Sequence, residues 1–115
     1  MTWFKQDTEY TPVLFRVARA AKRDGAEVTA VFPCEPHDMS GNMTCYAHVG
    51  QHGACSMRWY DTTRPARPDE YADLKEDLES APYGYRLKPY KRMAASLRAK
   101  FDAEMDRLRG LGTNR

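Results

Sequence analysis

Apolar residues recur with two different periods along this chain, and no single kind of element satisfies both. Val13, Phe15 and Val17 alternate with Leu14, Arg16 and Ala18, and Val28, Ala30 and Phe32 repeat the alternation. Successive side chains on a strand point to opposite faces, so a period of two predicts strands. With the turn signal Asp24-Gly25 between them, residues 12–33 read as an antiparallel hairpin connected near 20–25. Residues 18–22 offer an alternative helical turn, since Ala, Arg and Lys are good helix formers. Farther on, Met93, Leu97, Phe101, Met105 and Leu108 recur at steps of four, four, four and three. That spacing lies along one helix face and predicts an amphipathic helix over about 91–109.

The chain between these patterns fills in the order. Residues 1–11 read as a polar lead-in arm pinned by Trp3 and Phe4, and residues 33–44, with Pro33, Pro36, Asp38, Gly41 and Asn42, as a loop. Residues 45–49 predict a short third strand, and Gly50 with Gly53 a turn. Residues 54–60 are either strand or irregular. Pro68 suits a first helical position, Asp69 and Glu70 suit the first turn, and Tyr71, Leu74 and Leu78 form a stripe, so a helix spans 68–80. Tyr83, Tyr85 and Leu87 alternate again, predicting a strand over 83–88 that Pro89 confines to an edge or an end. Strands come first and helices later, which gives an α+β class: a small antiparallel sheet packed by helix 68–80, with the last helix added. The 115 residues suit one domain. On this reading a compact unit of about 12–92 carries a helical extension over 93–110.

Composition narrows the function classes. With 42% hydrophobic and 30% charged residues the chain is globular in type, and a net charge of +2 predicts no general attraction to nucleic acid or membrane. The charge is unevenly placed. Residues 69–79 carry six acids and one Lys, while residues 86–115 carry nine Lys or Arg and three acids. Three cysteines make no complete disulfide set and suit a reducing compartment. The first ten residues lack the apolar core of a secretion signal. The longest apolar run, near 28–32, is far below the ~18 residues of a membrane span. A cytoplasmic protein without membrane contact is expected.

His48-Val-Gly-Gln-His-Gly53, Thr63-Arg-Pro-Ala66, Glu70-Tyr-Ala-Asp-Leu74 and Tyr85-Arg-Leu-Lys88 form a set. Together they resemble a group of small bacterial, mobile-element-associated proteins of unestablished activity. The resemblance covers about residues 12–92. It implies a bacterial, cytosolic, phage- or element-borne setting and no catalytic residue.

Four features bear on chemistry. All three His and all three Cys fall between residues 34 and 55, as Cys34-x2-His37, Cys45-x2-His48 and His52-x2-Cys55. Imidazole and thiolate are ligands that zinc prefers. Against a zinc site, residues three apart on a strand point to opposite faces. No cofactor is therefore expected, with structural zinc as the alternative. The Gly50-Gln51-His52-Gly53 turn could offer N–H groups to an anion, which makes His48, Gln51 and His52 candidate binding residues. The segment 83–92 interleaves aromatics with positive charge, so Tyr85, Arg86, Lys88, Lys91 and Arg92 are candidates for nucleic-acid contact. The last helix offers Met93, Leu97, Phe101, Met105 and Leu108 to a protein partner or a second copy. The leading expectation is a non-enzymatic accessory protein acting through that helix, with a host or defence complex as its expected target. The alternatives are a zinc- or anion-binding protein centred on the His/Cys cluster and a weak nucleic-acid binder.

Overall fold

A computed structural model describes residues 10–19, 27–47 and 52–113, with the backbone alone for 111–113. Its strands are β1 (Thr11–Ala18), β2 (Thr29–Pro36), β3 (Met43–Tyr46), β4 (His52–Cys55), β5 (Thr63–Pro65) and β6 (Leu87–Tyr90). Its helices are the single turn α1 (Met57–Tyr60), α2 (Pro68–Glu79) and α3 (Ala95–Thr113). The class is α+β, as the two periodicities require.

The sheet runs β4-β3-β2-β1-β5, with neighbours antiparallel. Leu14 faces Val31 and Arg16 faces Thr29 across the β1–β2 pair. The connection expected near 20–25 lies outside the described residues, as do Trp3, Phe4, His48 and Gln51. Strand β6 shares the outer edge of β1 with β5. It runs parallel to β1 along Thr11–Leu14, while β5 is antiparallel along Arg16–Ala18. Pro89 therefore sits on an edge strand, where its missing N–H disturbs no second ladder.

Residues 13–17 of β1 are all buried, as are 30–33 of β2. Such continuous burial means that the sheet is covered on both faces. Val13, Phe15, Val17, Ala30 and Phe32 face Leu74 and Leu78 of α2. Leu14, Val31, Met43 and Tyr60 face Leu97, Phe101 and Met105 of α3. The molecule is a helix–sheet–helix sandwich, and α3 is one of its two covers.

This corrects the reading of the last helix as an extension with spare apolar surface. Leu97, Phe101 and Met105 are buried against their own sheet, Met93 packs on the same core from the preceding connection, and Leu108 is half-buried. The physical reason is the second face of β1 and β2, which the 12–92 unit alone would leave open to water.

Other boundaries also move. The third strand is 43–46, not 45–49. His52 and Gly53 begin strand β4 instead of closing a turn. Residues 54–60 end β4 and then form α1, whose Ser56 hydroxyl accepts from the Trp59 N–H at 3.1 Å. The strand expected over 83–88 starts only at Leu87. Before it, Gly84 at φ +67° turns the chain, and the Tyr85 N–H reaches back to the Leu78 carbonyl at 3.0 Å. Helix α3 starts at Ala95 and runs to Thr113.

Helix α2 begins as expected at Pro68. Glu70 closes its first turn by accepting the Arg67 N–H at 2.8 Å and holding the Arg64 guanidinium with both oxygens at 3.0 Å. The Arg64 hydrogen bonds, followed by that of Arg67, draw the Glu70 carboxyl down to about 2. A carboxyl depressed in the fold stabilises it above its unfolded pKa of about 4.5 and loses that contribution as pH falls towards 2. Glu70→Gln is expected to cost about 1 kcal/mol at pH 7. In thermal unfolding, the gap between wild type and variant should close between pH 4.5 and pH 2; a gap constant over that range would refute the assignment.

Candidate functional site

Arg16 stands at the centre of β1 on the α3 side of the sheet and is only 4% exposed. Burial pulls its guanidinium pKa down, and the nearby positive charges of Arg19 and Arg92 act in the same direction, while Tyr60 and Asp61 oppose them. Burying a charge is costly unless polar partners replace water. Here they do: Nε donates to Thr63 Oγ1 at 2.8 Å, Nη2 to the Thr63 carbonyl at 3.0 Å, and Nη1 to the Lys91 carbonyl at 2.9 Å. The guanidinium also lies 4.1 Å from the centre of the Tyr60 ring. All these partners are neutral. Among the described residues no carboxylate pairs with Arg16.

A cavity of about 640 Å³ opens over this charge, between β5, α1 and the start of α3. Arg19, Arg64, Arg92 and Arg98 line it together with Arg16. Arg64 is neutralised by Glu70, and Arg98 lies 3.6 Å from Asp102. Arg98 Nη1 is nevertheless buried and has no hydrogen-bond acceptor among the described residues. Met93, Ala94 and Ala95 bring the first turn of α3 to the cavity wall, and that turn contains no acidic residue. The open N–H groups of a helix start carry partial positive charge. Met57, Tyr60 and Met93 supply an apolar wall. The cavity thus combines several guanidinium groups, a helix N-terminus and a greasy side, and its volume is that of a small-molecule site.

The residues expected to bind are divided among separate places. Arg92 reaches this cavity, and Lys91 contributes its carbonyl to Arg16. Arg86 lies toward the other end of β6, with its guanidinium 4.6 Å from the Tyr10 ring centre, and Lys88 lies over Tyr90. The 83–92 segment therefore meets different surroundings along its length. Its parts are separated because β6 carries them along the edge of β1.

His52 Nε2 is 3.0 Å from the Tyr85 hydroxyl, and both rings join Phe32, Tyr46 and Tyr83 in an aromatic cluster. Cys55, three residues after His52 on the same strand, packs instead on the α3 side. Cys34 and Cys45 also pack there, and His37 is exposed beyond the end of β2. Alternation along the strands separates His52 from the three thiols. Among the described residues no three His, Cys, Asp or Glu side chains converge.

Sequence patterning passes over Arg16, Arg19 and Arg98. The signal for Arg16 is visible in hindsight: a single charge inside Pro-Val-Leu-Phe-Arg-Val-Ala, where an alternating strand reading turns it to water. No family model, curated protein or solved structure matches the chain.

Proposed function

We propose that the protein is a non-enzymatic binding protein whose arginine cavity captures the phosphate of a small phosphorylated ligand. The observation that carries this reading is Arg16, a buried cation whose hydrogen-bond partners among the described residues are all neutral, under a cavity to which further arginines turn. Arginine, with its planar fork of donors, suits phosphate oxygens better than lysine does. The apolar wall of Met57, Tyr60 and Met93 suits a non-phosphate portion of the ligand. A protein interface on α3 is the weaker alternative, because its apolar stripe is already covered. The three free thiols fit a reducing, cytosolic setting.

Calorimetric titration with inorganic phosphate, a sugar phosphate and a nucleoside monophosphate tests the reading. Binding should weaken with salt and strengthen as pH rises through about 6, where a phosphate monoester gains its second charge. Arg92→Ala combined with Arg98→Ala should lower affinity at least tenfold, about 1.4 kcal/mol. Absence of binding at low salt, or affinity indifferent to the double variant, overturns it. Retardation of an oligonucleotide that depends on Arg86 and Lys88 would favour nucleic acid instead.

A further inference from the structure

The two thiols of β3 and β4 form a pair apart from the arginine cavity. Cys45 lies opposite Gly53, and Cys55 lies opposite Met43. The two sulfurs therefore project from the same face of adjacent strands, offset by one step of the alternation. Gly53 presents no side chain opposite Cys45, and a Cβ built there meets nothing within 4 Å. Both thiols line a cavity of about 510 Å³ together with Ala47, Ala54 and Trp59. Cys55 is buried and Cys45 is half-exposed, so a reagent meets Cys45 first.

From this placement we infer that Cys45 and Cys55 form a dithiol that reacts with hydroperoxides, Cys45 attacking and Cys55 resolving to a reversible disulfide. The Cys55 thiol beside it draws Cys45 down, and the same proximity, with burial, pushes Cys55 up. Cys45 thus supplies thiolate near neutral pH while Cys55 keeps its proton. In the first step the Cys45 thiolate attacks a peroxide oxygen and the O–O bond breaks. The departing hydroxide or alkoxide takes up the proton released by Cys45, leaving a sulfenic acid. In the second step the Cys55 sulfur attacks the Cys45 sulfur, the S–O bond breaks, and the hydroxyl leaves with the Cys55 proton as water. Two thiols supply two electrons, and one hydroperoxide is reduced. Loss of the Cys45 thiolate removes what held the Cys55 proton, so resolution follows attack.

Cys34 is an internal control. Burial pushes its thiol up, and it donates to the Leu97 carbonyl at 3.8 Å beneath α3. The lowered pKa gives Cys45 a larger thiolate fraction near neutral pH than Cys34, and lower nucleophilicity offsets part of that gain. Iodoacetamide should therefore alkylate Cys45 faster than Cys34.

The test treats the reduced full chain with hydrogen peroxide at pH 7 and reads intact mass and peptide maps. The expected product has lost two hydrogens, links Cys45 to Cys55, leaves Cys34 free and is restored by dithiothreitol. Cys55→Ser should stop at a Cys45 sulfenic acid that dimedone traps, and Cys45→Ser should leave Cys55 unoxidised. Should either serine variant fail to fold, Gly53→Val keeps both thiols and crowds Cys45, and it should slow oxidation severalfold. A disulfide involving Cys34, oxidation of Cys45 to sulfinic acid beside a free Cys55, alkylation no faster at Cys45 than at Cys34, or an unchanged rate in Gly53→Val overturns the inference.

Discussion

Phe101→Ala is expected to destabilise the protein by about 3–5 kcal/mol, measured as a shift in the urea unfolding midpoint. Phe101 is 1% exposed and lies between Leu97 and Met105 at the middle of the α3 stripe. Its ring fills the core formed with Leu14, Val31 and Met43. Truncation leaves a space that the rigid β1–β2 pair cannot collapse to fill, so the transfer and cavity contributions add. A small domain has only about 5–15 kcal/mol of stability in total. Removing residues 93–115 is therefore expected to abolish cooperative unfolding, because it bares one whole face of the sheet. A truncated chain that remained a folded monomer would restore the view that α3 is a spare surface for a partner.

That view came from a gap between what periodicity reports and what layers require. The alternation at Val13, Phe15 and Val17 identifies one face of β1. Leu14 and Val31, on the other face, are just as buried, and they call for a second cover. A near-continuous apolar run is the trace of such double coverage in a sequence, and Val13 to Val17 contains it, broken only by Arg16. Helix α2 was legible because its start is marked locally by Pro68 and Glu70. Strand β6 was only partly legible. Its parallel pairing with β1 joins residues more than seventy positions apart, and no local signal encodes that contact. The candidate site was the least legible part. Arg16 and Arg19 come from β1 and its end, Arg92 from the connection after β6, and Arg98 from α3. Their convergence is a product of the tertiary fold. The crowding of His and Cys between residues 34 and 55 was conspicuous, yet strand alternation sends His52 and Cys55 to opposite faces.

Replacement of Arg16 separates its two roles, as structural tie and as floor of the cavity. Arg16→Ala is expected to cost about 3–5 kcal/mol. It removes three hydrogen bonds made by a charged group, each of the order of 1.5–3 kcal/mol before desolvation is offset, and leaves a void beside Tyr60. Arg16→Met retains most of the volume and relieves the burial of a charge. It leaves the Thr63 and Lys91 carbonyls without this donor, so a smaller loss of about 1–2 kcal/mol is expected. Thr63 Oγ1 keeps its bond to the Tyr60 carbonyl in either variant. The two variants differ in stability but agree in function: both lack the buried charge, so neither should gain thermal stability from phosphate, whereas the wild type should. Arg16→Lys sharpens the comparison, since an ammonium restores the charge without the planar fork that reaches Thr63 and Lys91 together. It should bind phosphate more weakly than wild type and better than Arg16→Met. If Arg16→Met remained folded and took phosphate as tightly as the wild type, Arg16 would be a strut alone, and the phosphate reading would lose the observation on which it stands.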